Sequence, residues 1–289
     1  MKLRTKLNGG EDASIREQLP NFLIIGAMRS GTTSLANYLG SHPEIYVARD
    51  KELHFFDYRF DRGLSWYAAK FSQAKRGQAV GEASPTYMYV PECARRIADT
   101  LPNVKLLAIL RNPVDRAYSH YWLERARTRE SMDFESALAA ESDRLSGSDR
   151  HRTDHYSYLD RGRYLKQLEH VTTHVPRERL HVLLFEDLGA DPAAAFKSVC
   201  RFLDVDDTYI PKNVGKVLNH FVTFRSVAVR GMYRRLPPLI RHALGRVNSR
   251  EAVYPAMDPR TRARLVAHFA QMNDELGRWL GRDLAAWNR

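Results

Sequence analysis

Residues 22–34 limit what this chain can become more than any other stretch. Phe22 to Ile25 are a short apolar run rich in β-branched residues, the pattern of a parallel strand buried on both faces. Gly26 closes the run and Gly31 permits a tight turn. Thr32, Thr33 and Ser34 then open a helical pattern that continues through Leu35, Tyr38 and Leu39. A strand, a glycine-bounded loop and a helix N-terminus make a cradle for phosphate, because unpaired amides and the helix dipole point at the same anion.

The spacing nearly matches the nucleoside-triphosphatase loop G-x-x-x-x-G-K-[ST], but Thr32 stands where its lysine belongs and the basic residue comes earlier, at Arg29. Without the lysine that reaches the β and γ phosphates, the loop is poorly built for a triphosphate and its magnesium. It suits a single 5′ phosphate carrying a transferable group.

Further along, short strands alternate with helices. Ile45–Val47, Ala79–Glu82, Val104–Leu110 and Leu180–Phe185 read as strands, while 63–71, 91–101, a segment from Pro113, 162–171 and 191–202 read as helices. Alternation of this kind predicts an α/β architecture, a P-loop-type three-layer fold with a central parallel sheet flanked by helices. The polar stretch 141–157 is expected to be a loop. A final helix over Pro259–Leu280 carries an apolar stripe of Leu265, Phe269, Met272, Leu276 and Leu280. One domain over 1–289 is expected, with a polar extension at 1–20 and a basic segment at 211–256.

The formal charge of +11 predicts attraction to anions without selecting one. Cys93 and Cys200 are too few for a disulfide framework and read as buried free thiols, and no Cys/His zinc pattern occurs. Met1 to Pro20 lacks an apolar signal core, and no run is long enough to span a membrane. A reducing, cytoplasmic setting is therefore expected. The stretch 212–250 is rich in Arg and Lys, lacks acidic residues and interleaves apolar positions. It reads as a lid, a track for an anionic glycan, a membrane-surface helix presenting a lipid-linked acceptor, or a solvated face.

Ligands of open parallel sheets bind beyond the carboxyl ends of the strands. That edge gathers the glycine loop, Arg111 after Leu110, and Glu186 after Phe185. Arg111 suits bidentate phosphate recognition, with Ser119 two turns down the next helix as a further donor; a structural pairing with Asp115 or Glu186 is the alternative. Two separated phosphate sites predict a nucleotide phosphorylated at both ends. Glu52 and His54 are the general-base candidates. If the segment is extended, both project to one face and Leu53, Phe55 and Phe56 pack inward. Burial among those aromatics is then expected to raise the Glu52 pKa, while pairing of Glu52 with Lys51 is the structural alternative. His42, next to Pro43, reads as a turn residue.

In order, Arg29-Ser30-Gly31-Thr32-Thr33, Lys51-Glu52-Leu53-His54-Phe55-Phe56-Asp57 and Leu110-Arg111-Asn112-Pro113 through Arg116 to Ser119 resemble the sulfotransferases that use 3′-phosphoadenosine-5′-phosphosulfate (PAPS). The middle motif is most similar to the heparan sulfate 3-O- and N-sulfotransferase branch. Gly162-Arg163-Tyr164 and Phe185-Glu186-Asp187 also fit, so the likeness covers roughly residues 20 to 205. It implies that Arg29, Ser30, Gly31, Thr32, Thr33 and Ser34 hold the 5′-phosphosulfate and that Arg111 and Ser119 hold the 3′-phosphate. It also implies that Glu52 deprotonates the acceptor while His54 and Asp57 orient it, with no metal. Met28 stands where that branch often has a second basic residue, and no membrane anchor is evident, so a soluble bacterial-type member is expected. Lys212, Lys216 and Arg230 are the candidates for a C-terminal cofactor contact.

Three functions compete at this stage. The first is sulfuryl transfer to a hydroxyl or amine of a carbohydrate, glycolipid or other acceptor. The second is a P-loop nucleotide kinase or triphosphatase, and the third a non-catalytic basic module for polyanions. Nucleic acid is a poor partner for that module, because the aromatics follow core periodicity rather than forming stacking platforms.

Overall fold

The computed structural model describes residues 15–147, 149–216, 222–224, 249–251 and 254–289. Five parallel strands form the centre: β1 (Phe22–Gly26), β2 (Ile45–Val47), β3 (Ala79–Ala83), β4 (Lys105–Leu110) and β5 (Leu180–Leu184), in the order β2-β3-β1-β4-β5. β1 is flanked by β3 and β4 on its two sides, so the first strand of the sequence is the middle of the sheet.

Strand periodicity explains the layering. Along β1, Phe22 and Ile24 face one side, where they join Leu107 and Ile109 of β4 against Leu35 and Leu39 of helix Thr32–Leu39 and Phe196 and Val199 of helix Pro192–Leu203. Leu23 and Ile25 face the other, with Leu106, Ala108 and Leu110, against Ile97 of helix Pro91–Thr100 and Leu168 of helix Tyr164–Thr172. Every β1 residue is buried, as expected when helices cover both faces of a parallel sheet. A third cluster joins Val114 and Tyr121 of helix Pro113–Ala126 to Phe134 and to Leu265 and Phe269 of helix Pro259–Leu280. The final helix thus packs the first part of its expected stripe, Leu265, Phe269 and Met272, onto the helix that follows Arg111, while Leu276 and Leu280 join the core beneath the sheet. Asn273 shares its buried face and donates to the side-chain oxygen of Asn288 at 2.9 Å.

Two expectations need correction. The stretch 141–157 is not a loop but holds helices Glu141–Leu145 and Arg150–Tyr156. Its polar composition hides a capping Asp149, whose carboxylate accepts from the amide of His151, and a buried Glu141, which accepts from the amides of Leu159 and Asp160. Burial raises the Glu141 pKa to about 7, offset in part by those amides. Likewise β5 ends at Leu184, and Phe185–Ala190 is helical.

Cys93 and Cys200 are buried free thiols. His42 does occupy a turn, but a buried one, where its Nδ1 accepts from the Glu44 amide at 3.1 Å. Val222–Phe224 pairs antiparallel with Ser249–Glu251. The rest of the basic stretch beyond Lys216, Arg230 included, and residues 1–14 lie outside the described residues, as do the lid, glycan-track and membrane-facing readings placed there. No helix among the described residues is long and apolar enough to cross a membrane.

Candidate active site

β1 delivers the chain at Gly26 into the loop 27–31, and the following helix starts without a side-chain cap. A helix start without a side-chain cap is a place where backbone amides can receive an anion. Gly31 sits at φ 92°, in the left-handed region, and a Cβ there would approach the Phe185 ring at 3.1 Å. The torsion favours glycine, and any larger residue would also push on the Phe185 ring. Ser30 and Thr32 are buried, while Thr33 and Ser34 are half-buried at the helix entrance.

The loop is tied to the end of β4 and the helix after it. Arg29 donates from Nε to the Ser119 hydroxyl at 3.0 Å, and Arg111 donates from Nη1 to the Arg29 carbonyl at 3.3 Å. Arg111 also lies over the Phe185 ring at 4.9 Å from its centroid. Neither expected structural partner claims Arg111. Asp115 takes both Nη groups of Arg262, and Glu186 accepts from the backbone amide of Asn112 at 3.0 Å. The Arg111 carbonyl accepts from the Tyr164 hydroxyl at 2.9 Å, so the turn after β4 is held from two sides. Asn112 completes it by capping the next helix through the amide of Val114.

Among the described residues neither Arg29 nor Arg111 makes an ion pair. Burial, and then the like charge of Arg111, push the Arg29 guanidinium below its ordinary range. Two cations held together without a counter-charge form a site that an oxyanion stabilises.

The second half of the site follows β2. Glu52 and His54 do come together, with His54 Nε2 at 3.5 Å from Glu52 Oε2, but not by extended geometry. Glu52 at φ 54° and His54 at φ 51° are both left-handed, and this tight path brings the two side chains together. Leu53, Phe55 and Phe56 are buried as expected. On its other side His54 Nδ1 meets Asp57 Oδ2 at 2.8 Å, and the Thr86 hydroxyl donates to the same carboxylate oxygen. The Asp57 side chain is 0% exposed and that of Glu52 is 39% exposed. Asp57 is therefore the enclosed partner of His54, and Glu52 is the carboxylate open to solvent.

The expected rise in the Glu52 pKa is corrected. The hydrogen bond from His54 lowers it, outweighing burial. Burial also works against charge on His54, but the Asp57 and Glu52 carboxylates overcome it and raise the imidazole to about 9. At neutral pH the group is a carboxylate–imidazolium–carboxylate chain.

A cavity of about 300 Å³ runs from the start of the helix after the loop to Glu52, lined by Thr32, Thr33, Asn37, Lys51 and Glu52. Among the described residues Lys51 makes no ion pair with Glu52 or any other acid. A larger cavity of about 560 Å³, bounded by Tyr89, Arg150, Asp154, Arg163, Lys166 and His170, touches neither the loop nor Glu52. Arg150 links it to the site by donating to the Asp57 carbonyl at 2.8 Å. The sequence alone assigned no role to Thr86, Asn112 or Tyr164; for Thr86 the compact run Ser84-Pro85-Thr86-Tyr87 after β3 was the available signal.

A family model described as a sulfotransferase domain matches residues 19–226. Human heparan sulfate glucosamine 3-O-sulfotransferase 3B1 is 28% identical over 272 residues, covering 92% of this chain and 65% of that protein. The membrane-associated sulfotransferase kil1 of Dictyostelium discoideum is 26% identical over 278 residues, covering 68% of this chain and 59% of that one. The chain thus spans about three-fifths of the length of these curated relatives. Among solved structures, a sulfotransferase from Alicyclobacillus acidocaldarius superposes with a TM-score of 0.71 at 30% identity, covering 93% of this chain and 99% of that one.

Proposed function

This chain belongs to the sulfotransferase domain family, and on that footing we propose that it moves a sulfuryl group from PAPS to a carbohydrate hydroxyl. The observation that carries the reading is the junction of Arg29, Ser119 and Arg111, a pair of half-buried cations with no ion-pair partner among the described residues, beside a glycine loop that lacks a triphosphatase lysine. Such a junction fits a nucleotide with one phosphate at each end of its ribose.

In this reading the amides of the loop 30–34 and Arg29 hold the 5′-phosphosulfate, and Arg111 with Ser119 holds the 3′-phosphate. Glu52 takes the proton from the acceptor hydroxyl as its oxygen attacks sulfur. The bond from sulfur to the bridging phosphate oxygen breaks, and its electron pair stays on the departing 3′-phosphoadenosine-5′-phosphate (PAP). Arg29 and the loop amides stabilise that growing charge; donors preorganised for it commonly supply the largest part of catalysis. His54 and Asp57 fix Glu52 and orient the acceptor, which enters through the cavity lined by Lys51 and Glu52. Lys212 and Lys216 are exposed in the described structure and are candidates to close over the nucleotide. The kinase and polyanion-module alternatives are not favoured, given the family match and the missing loop lysine.

The carbohydrate class comes from the printed name of the human relative, a heparan sulfate glucosamine 3-O-sulfotransferase. The test is transfer of ³⁵S from labelled PAPS to a panel of neutral oligosaccharides, N-sulfated heparan fragments and glycolipids. Label on a sugar hydroxyl, dependent on Glu52, is the expected result. Label only on amines, or on no sugar at all, would overturn the acceptor assignment.

A further inference from the structure

Asp57 lies in the short helix Phe55–Tyr58, which His54 precedes at the N-cap position without a side-chain capping hydrogen bond. Its leading amides are nonetheless satisfied inside the protein. The His54 amide donates to the Ser84 hydroxyl at 3.1 Å, and the Phe55 amide donates to the Tyr87 hydroxyl at 2.8 Å. An amide can only donate, so both hydroxyl oxygens must accept there and send their own protons elsewhere. Both protons go to Glu82. Ser84 Oγ donates to its Oε2 at 2.7 Å, and Tyr87 Oη to its Oε1 at 2.6 Å. A third hydroxyl, from Tyr67, donates to Oε1 at 3.2 Å.

Glu82 lies near the end of β3, opposite Leu23, and is 1% exposed. It meets only hydroxyl donors, the surroundings of a group that accepts on every side. Burial favours its neutral form and the three hydroxyls oppose that. No contact joins Glu82 to the loop or to either arginine among the described residues.

We infer that Glu82 is a positioning residue for the transfer reaction, an acceptor hub that orients the Ser84 and Tyr87 hydroxyls so that they hold the left-handed turn presenting His54 and Glu52. The inference rests on the sulfuryl-transfer reading above. The direction of each hydrogen bond is what matters, running from amide to hydroxyl to carboxylate. Glu82→Gln keeps the shape but makes one end of the side chain a donor. A hydroxyl facing that end loses its acceptor and its proton competes with the amide it served. The His54 turn loosens, while the phosphate cradle, built on other residues, is untouched.

The experiment compares Glu82→Gln with wild type in steady-state kinetics, alongside titration of PAP. Wild-type transfer from PAPS establishes the underlying reading separately. The expected result is unchanged PAP affinity and acceptor KM with kcat lower by about 100-fold, the scale that a misplacement near 1 Å produces. In a Glu52→Gln background the same change adds little, because both act through one group. Wild-type kcat in Glu82→Gln with normal PAP binding would overturn the inference, and so would full additivity with Glu52→Gln. Should Glu82→Gln fail to fold, Ser84→Ala removes the acceptor of the His54 amide together with one of the three hydroxyls on Glu82, and leaves the two tyrosine hydroxyls in place. A fall in kcat at constant PAP affinity is then expected, and an unchanged kcat overturns the proposal.

Discussion

Glu52→Gln is expected to lower kcat for sulfuryl transfer by about 10²- to 10⁴-fold, the usual contribution of a positioned general base, and to leave PAP binding intact. The substitution keeps the size of the side chain and removes only its capacity to accept a proton. The wild-type pH profile should report the same cluster. Glu52 is held below its ordinary range, so activity persists through mildly acidic solution and is lost as pH falls through that lowered value. On the alkaline side the His54 proton is lost at about 9. A neutral imidazole donates to only one of its two carboxylates, Glu52 is released, and the rate falls. Stability follows the same sign: the His54 pKa is raised on folding, so its contribution is complete below the unfolded pKa and disappears as pH rises through about 9. Rate measurements on both proteins from acid to alkaline pH check both limbs. A Glu52→Gln protein with wild-type kcat would remove Glu52 from the chemistry.

Arg29→Ala is the second large effect. Arg29 joins the loop to Ser119 and places a cation where negative charge grows on the leaving phosphate. Removing one such donor from a comparable site costs about 10²- to 10³-fold in kcat. Because Arg29 also contacts the bound nucleotide before reaction, KM for PAPS should rise in parallel, in contrast to Glu52→Gln, where it should not. Steady-state kinetics with PAPS varied separates the two patterns. A change confined to KM would mean that Arg29 binds both states equally and does not stabilise the departing charge.

What could be read from the sequence, and what could not, divides by the range of the contacts involved. β1, its glycine loop and the following helix were legible because periodicity and turn chemistry are local, and the rule about strand ends put the loop and Arg111 on one edge. They were read as separated sites, however, and the structure joins them through the Arg29 carbonyl. The Arg29–Ser119 hydrogen bond was not legible, since it joins residues 90 apart in sequence and depends on how the helix from Pro113 packs. Glu52 and His54 were expected to meet and do, yet through a different backbone. Alternation was assumed where two left-handed residues occur, and neither is a glycine that would have announced them. The Glu52 pKa was misjudged for a related reason: burial could be guessed from the flanking aromatics, but the imidazolium beside it depends on Asp57 and Thr86. Helices at 141–145 and 150–156 were missed because a polar stretch reads as solvated unless one knows that Glu141 is turned inward to receive two amides.

The central claim is that this cradle holds a nucleotide phosphorylated at its 5′ and 3′ positions. Isothermal titration with PAP, 5′-AMP and ATP with magnesium, on the wild-type protein and on Arg111→Ala, tests it most directly. The account predicts tight PAP binding, weak binding of 5′-AMP and ATP, and loss of the preference for PAP in Arg111→Ala. Equal affinity for PAP and 5′-AMP, or a preference for ATP with magnesium, would contradict it.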